Sequence, residues 1–462
     1  MKIPDERMTP TKRYIPHIPE TDKERMVVVG CGFAGLKFIR KMLGQQYQIV
    51  LIDRNNFHQF QPLLYQVATS GLEPSAISFP IRKILQKQND IHFRIAEVHE
   101  ILEGEKEILT NIGHLKYDHL VLAMGATTNY FGQKNIEQYA LPMKSAADSI
   151  LIRNTILENF EAALLQDSEE EMSSYLNVVL VGGGPTGVEM AGALAEMKKY
   201  IFPKDYPELD LSRMRIVLYE ASPVLLSGMS GSASAHALKY LQNLGVEVYL
   251  NTRVEDYDGV QLKLSDKTRL ASKTVIWAAG IRANTLMGIP SDRMGPQGRI
   301  RVDRFHRVEG MSHVYVLGDL CYMETPLFPE GHPQVAQVAI QQAGNLSSNL
   351  KKLRKMGTSG LREFEYKDKG SMATIGRNLA VADLPHFRLK GFPAWVLWSI
   401  VHLFTIFGAK NQVFTFLNWM WKYFTYDQSL RLLIRPKLAN NAPMPGQQNS
   451  PGSTSREKSV TT

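Results

Sequence analysis

Cysteine is almost absent from this chain, with two in 462 residues. Cys31 and Cys321 stand far apart and form no C-x-x-C pair, so a disulfide framework and a zinc site are excluded as organising chemistry, and a dithiol redox couple has no partner sulfurs. Long hydrophobic runs are missing too: the uncharged apolar stretch Ala394–Phe407 falls short of the roughly 20 residues that a spanning helix needs. The N-terminus as far as Arg25 is charged and proline-bearing with no apolar core, which argues against a secretory signal and for a protein kept on the reducing, cytoplasmic side. The net charge of +8 asks for an anionic partner. No helix-turn-helix and no basic, aromatic-lined groove is visible, so nucleic acid is not the expected one. With 44% hydrophobic residues over 462 positions, two or more domains with substantial cores are expected.

What is there begins with Met26–Asp53. Met26-Val27-Val28-Val29 is continuously apolar, as a strand buried on both faces should be. It breaks at Gly30-Cys31-Gly32-Phe33-Ala34-Gly35, a G-x-G-x-x-G turn, followed by a helix from Leu36 and a second buried strand, Tyr47–Ile52, ending at Asp53. In such a turn Gly30 permits the tight bend, Gly32 lets backbone approach a pyrophosphate, and Gly35 lets the helix pack on the strand. The helix N-terminus supplies unpaired N–H groups, and the terminal acid reaches a ribose hydroxyl, so a dinucleotide is the expected ligand.

The pattern then repeats. Leu176–Val181 is a strand, Gly182-Gly183-Gly184-Pro185-Thr186-Gly187 the turn, Val188–Lys198 the helix, and Arg215–Tyr219 the return strand closing at Glu220, with 199–212 as an insertion. Arg213 and Arg215 lie close enough for one to fold back on Glu220, whose carboxylate would otherwise repel a 2′-phosphate and favour NADH over NADPH. Two further strands run into small-residue turns, at Ala123-Met124-Gly125 and at Ala278-Ala279-Gly280, and His313–Leu317 is a buried strand ending in Gly318-Asp319. A helix is expected from His332 to Lys355 with Pro333 in its first turn. Thr186-x-x-Glu189 reads as a capping box.

Two dinucleotide turns, each with a small-residue strand end, plus the late Gly318-Asp319, resemble the two-dinucleotide-binding-domain flavoproteins over roughly residues 25 to 350. Within that superfamily Ala336-Gln337-Val338-Ala339-Ile340-Gln341-Gln342, Gln61-Pro62-Leu63-Leu64-Tyr65 and Lys369–Arg377 look like type II NADH:quinone oxidoreductases. The resemblance implies an α/β fold of two Rossmann-like domains, with FAD on 25–145 and 306–385 and NADH on 146–305. It assigns Gly30, Gly32, Phe33, Ala34, Gly35, Asp53, Arg54, Gly125, Gly318 and Asp319 to FAD, with Val98 beside the adenine. Gly182, Gly184, Pro185, Thr186, Gly187, Glu220, Ala279 and Gly280 go to NADH. Glu189 would sit beside nicotinamide and flavin, steering the cofactor or relaying a proton. Ala336, Gln337 and Gln341 would lay one helix face against the isoalloxazine and leave a slot for a membrane quinone, ubiquinone or menaquinone.

The C-terminal region fits a lipid surface. Ser399, His402 and Thr405 form one polar stripe, and Val413, Phe416, Leu417, Met420, Trp421 and Phe424 recur on one helical face. Arg388, Lys390, Lys410, Lys422, Arg431, Arg435 and Lys437 frame both stretches. Amphipathic helices over 386–437 lying in the interface are expected, a core pair or a homodimer contact being the alternative. Residues 1–24 and 438–462 are expected to be a disordered leader and tail. The reading is a peripheral, non-proton-pumping NADH:quinone oxidoreductase on the cytoplasmic face of the membrane. A soluble NADH-dependent reductase of a ferredoxin-like protein and a non-catalytic NADH/FAD-binding signalling protein stay open beside it.

Overall fold

The strand that opens the first glycine turn, β1 (Glu24–Val29), is buried on both faces, and its residues divide between two cores. Val27 and Val29 join one apolar cluster with Val50, Ile52, Leu120 and Leu122, while Met26 and Val28 join another with Ile49, Leu51 and Val121. A strand lined by Val and Met on both sides finds partners only in mid-sheet. The computed structural model describes residues 12–86, 88–426 and 430–433.

After β1 come α1 (Phe33–Met42), β2 (Tyr47–Asp53), β3 (Ile91–Ile95) and β4 (His119–Leu122). The second unit holds β5 (Val178–Val181), α2 (Pro185–Tyr200), β6 (Ile216–Tyr219), α3 (Gly231–Asn243), β7 (Glu247–Tyr249) and β8 (Thr274–Trp277). The chain returns through β9 (Val314–Val316) and α4 (Ala336–Met356). Two parallel five-stranded sheets result: β9-β4-β1-β2-β3, and Leu141–Pro142 followed by β8-β5-β6-β7. The second repeats the two-sided burial of the first, with Val178 and Leu180 in one cluster and Val179 and Val181 in another. Residues 283–302 return to the first unit, because Ala283, Ile300 and Val302 complete the core that Val27 and Val29 begin.

The last part is a small antiparallel sheet, β10 (Ser371–Gly376), β11 (Leu379–Asp383) and β12 (Arg388–Lys390), followed by α5 (Phe392–Thr405) and α6 (Ala409–Thr425). β10 packs on α2 so closely that a Cβ on Gly192 would lie 1.6 Å from the Ile375 carbonyl oxygen. This sheet therefore bridges the second unit and the terminal helices, in place of the expected extension of the first unit to residue 385.

Four expectations are corrected. The helix expected from His332 starts at Ala336; the residue before a proline avoids helix, and the Gln334 amide donates to the Asp319 carbonyl at 2.8 Å, so residues 332–335 run irregularly along the cleft. The Thr186/Glu189 capping box does not form: α2 begins at Pro185 with Gly184 as a cap that uses no side chain, which places Glu189 beyond the reach of the helix start. The strand expected from Leu176 starts at Val178, because a short helix, Glu169–Leu176, capped by Ser168, runs up to it; acids in its first turn favour the dipole. The leader is packed from residue 12 on: Tyr14 pairs with His114, Ile15 is buried, and Arg94 donates to the carbonyls of Pro16 and His17. Residues 1–11 and the tail 438–462 lie outside the described residues, as do Arg435 and Lys437.

Candidate active site

A cleft of about 680 Å³ opens at the C-terminal ends of β1, β2, β4 and β9, where ligands of parallel α/β sheets bind. Its floor is the first glycine turn. Gly30 has φ +97°, and a Cβ there would meet the Ala123 carbonyl oxygen at 2.4 Å, so the end of β4 and the turn interlock. Gly32 has nothing within 4 Å of a Cβ and faces the open cleft at the N-terminus of α1. The cleft thus offers backbone N–H groups and space for a pyrophosphate where a side chain would intrude. Phe33, Ala34, Gly125 and Asp319 line the same cleft.

Asp53 accepts from Cys31 N–H at 2.6 Å and from Asn55 N–H at 2.7 Å. Burial raises its carboxyl above the ordinary range, and the two backbone N–H groups oppose that rise. Beyond it, Arg54 and Val98 line a side cleft of about 250 Å³, the expected adenine end. The second turn repeats the device: Gly182 has φ +113°, with Ala278 and Ala279 blocking any Cβ, and Glu220 accepts from Gly183 and Ser222 N–H. Gly280 packs on the Phe131 ring. Neither arginine folds back, since Arg215 pairs with Glu247 at 2.6 Å and Arg213 with Glu169 and Asp210.

A second, apolar cavity of about 730 Å³ shares Phe33, Pro62, Pro185, Val335 and Ala336 with the first. It reaches from Gly184 and Leu226–Met229 on one side to Gln337, Tyr366 and His402 on the other. His402 shares a 2.8 Å hydrogen bond between Nδ1 and the Trp398 carbonyl, and burial pushes it down to about 4, so the imidazole is neutral and its Nδ1 is the donor. Gln337 donates to the Gly370 carbonyl at 2.9 Å; both ends of the Gln341 amide are spent on the Lys367 backbone. The glutamine face of α4 is thus turned to the 366–370 segment, and Val335, Ala336 and Ala339 make the part that walls the first cleft.

Glu189 lines the first cleft from α2. It is buried, its Oε1 accepts from Thr374 N–H at 3.4 Å, and burial pushes its carboxyl up to about 8, with Thr374 and the Trp398 indole holding it back.

Three contributors escaped sequence reasoning. Lys144 stands 3.6 Å from Asp319 across the cleft. Asn284 holds the Gly125 turn through Met124 and Gly125 carbonyls. Gln342, fully buried, accepts Gly318 N–H at 2.7 Å and so fixes the turn that presents Asp319. Only Gln342 had a signal, an amide on the apolar side of a helix.

Around the terminal helices, Val413, Phe416, Leu417, Met420, Trp421 and Phe424 of α6 and Ile400 and Phe404 of α5 are exposed. Ser399, His402 and Thr405 each bond back to the carbonyl four residues earlier, which satisfies the polar stripe within the helix. Lys422 does not frame the surface: its ammonium is turned inward, near Gly71 and Glu196. Among the described residues no helix is long and apolar enough to cross a membrane.

The family described as pyridine nucleotide-disulphide oxidoreductase matches residues 24–343, and the NDH2 C-terminal domain matches 369–425. The chain is 36% identical over 414 residues to the type II NADH:quinone oxidoreductase Ndh of Mycobacterium tuberculosis, covering 86% of this chain and 87% of that one. It is 33% identical over 412 residues to NdhA of the same organism, covering 86% of each. Its fold is like that of NDH2 from Plasmodium falciparum in complex with NADH, with a TM-score of 0.82 at 24% identity over 89% of this chain and 100% of that one. Twin glycine turns flank one cleft, both cysteines are buried and free, and the similarity runs nearly end to end: the chain belongs to the type II NADH:quinone oxidoreductase family.

Proposed function

We propose that the first cleft holds FAD, the second glycine turn holds NADH, and the apolar cavity beside His402 and Gln337 takes the head group of a membrane quinone. FAD held in the first cleft would supply the redox chemistry, as hydride acceptor for NADH and two-electron donor to the quinone. The chain's residues position and exclude. Gly32 and the α1 N-terminus receive the pyrophosphate, Asp53 and Glu220 the two riboses, and Asp319 the ribityl side. The observation that carries the acceptor assignment is the apolar cavity that abuts the first cleft and runs along α5 through Val401, His402 and Thr405. An apolar slot with a few polar groups suits a quinone head, and no thiol pair stands in its place. The test is anaerobic: NADH should bleach the flavin absorbance and a short-chain quinone should restore it. A flavin that NADH fails to bleach would end this reading.

Glu220→Arg should shift preference from NADH toward NADPH, by about a hundredfold in the ratio of kcat/KM, since a carboxylate that repels a 2′-phosphate becomes a cation that pairs with it. An unchanged ratio removes Glu220 from the ribose.

The exposed aromatic face of α5 and α6 is assigned to a lipid surface on the cytoplasmic side. Phe and Trp at the interface with exposed Arg388 and Lys410 beside them suit bilayer headgroups better than a second copy of the chain. Purified protein should float with anionic liposomes, and replacing Phe404, Trp421 and Phe424 by Ser should leave most of it in the pellet fraction; flotation that survives the triple change rejects this face.

A further inference from the structure

Asp383 ends β11, where the C-terminal sheet meets the second unit. Its carboxylate takes two hydrogen bonds from a single residue: Ser230 N–H donates to Oδ2 at 2.6 Å, and the Ser230 hydroxyl donates to Oδ1 at 2.9 Å. Ser230 in turn caps α3, its Oγ accepting from Ala233 N–H at 3.3 Å. The residues just before it, Leu226 to Met229, form the wall at the end of the apolar cavity beside Gly184 and Pro185 of the second glycine turn, opposite the His402 and Gln337 end assigned to the quinone. At the other end of that wall Leu226 N–H donates to the Gly183 carbonyl at 2.8 Å, with Leu226 held at φ +50°. A leucine at positive φ does not hold its conformation unaided. Leu226 and Met229 pack on the main core, and the backbone of the wall has two hydrogen-bonded anchors, the glycine turn itself and Asp383.

Asp383 also touches the acceptor side. A Cβ on Gly370 would lie 2.2 Å from the Asp383 carbonyl oxygen, and the Gly370 carbonyl is the one that Gln337 holds. The nearby Arg388 guanidinium, 3.7 Å from Oδ1 and two-thirds exposed, is screened by solvent and leaves the carboxylate to Ser230.

We propose that Asp383 is a positioning residue for NADH: its two-point grip on Ser230 fixes the 226–229 wall, so cofactor affinity is set by the C-terminal module. This rests on the assignment of NADH to the second glycine turn. A carboxylate receiving two hydrogen bonds in a fixed fork is strong and directional. Without it the wall must be ordered at the moment of binding, which weakens affinity but leaves the geometry of the bound state, and so the rate at saturation, in place.

The experiment uses full-length, FAD-loaded Asp383→Ala, Ser230→Ala and Ser230→Thr proteins. NAD+ binding is titrated calorimetrically, and steady-state rates are taken with a short-chain quinone. Asp383→Ala is expected to raise the NAD+ Kd and the KM for NADH about tenfold, with kcat, the quinone KM and flavin content within about twofold of the parent. Ser230→Thr, which keeps both donors, should restore parental values, and Asp383→Ala/Ser230→Ala should be no weaker than Asp383→Ala alone. Unchanged NAD+ affinity in Asp383→Ala overturns the proposal, as does an equal fall in kcat and flavin content, the mark of a merely structural role. Glu220→Arg serves as the reference: if it weakens NAD+ and Asp383→Ala does not, Asp383 alone is misassigned. If neither does, the placement of NADH at the second turn has failed.

Discussion

A Gly32→Val chain is expected to fold and to purify colourless, with flavin content lowered at least about a hundredfold. Gly32 has an ordinary φ of −71° and nothing within 4 Å of a Cβ, so a side chain there strains no backbone and strikes no protein atom. It points into the first cleft at the start of α1, where the backbone N–H groups wait for a pyrophosphate. Two methyl groups there displace a ligand of which the affinity rests on close backbone approach, and a hundredfold loss corresponds to about 2.7 kcal/mol. Gly30→Val is the contrast. At φ +97° with Ala123 backbone 2.4 Å from its Cβ, valine there costs about 1–3 kcal/mol in backbone strain alone and also forces β4 from β1. That chain should be insoluble or melt far below the parent. Flavin absorbance per protein and thermal melting separate the two: Gly32→Val should melt like the flavin-stripped parent. A Gly32→Val protein that keeps its yellow colour would remove the pyrophosphate from this turn.

The two glycine positions show what was legible in the sequence and what was not. Strand, turn and helix around Gly30 and Gly182 follow from local periodicity and from steric rules that act within a few residues, so both turns, both terminal acids and the parallel sheets could be read directly. The exposed face of α6 was legible for the same reason, because helical spacing alone decides which side chains align. Partners brought together from distant segments were not. Lys144 meets Asp319 and Asn284 holds the Gly125 turn only once the chain has folded back, and no local pattern marks them. Lys422 read as a surface cation because its neighbours in sequence are exposed, yet its ammonium is turned into the protein. Thr186 and Glu189 had the spacing of a capping box, but Gly184 and Pro185 start the helix two positions earlier, and the carboxylate is left for Thr374.

That displaced carboxylate supports the second large effect. Glu189→Gln should slow reoxidation of the flavin by quinone about a hundredfold, while bleaching by NADH changes less than about threefold. Quinone reduction consumes protons at the acceptor oxygens, whereas hydride transfer from NADH does not need one from the wall. A carboxyl that burial pushes up to about 8 is protonated at neutral pH and holds its proton at the edge of the cleft. On its far side it joins a small cavity to which Tyr65, Gln66, Glu196 and Lys422 contribute polar groups. Glutamine keeps the size and one acceptor for Thr374 N–H, so what it removes is the exchangeable acid. The same shift gives a sign for stability. The folded value lies above the ordinary 4.5, so between about 4.5 and 8 the native state holds a proton that the unfolded chain has lost. The parent must lose stability as pH rises through that window, by up to a few kcal/mol. Glu189→Gln has no such proton and should melt at a temperature that falls less steeply from pH 5 to pH 9. Half-reactions slowed equally, or melting curves that stay parallel across that range, would leave Glu189 as wall and nothing more.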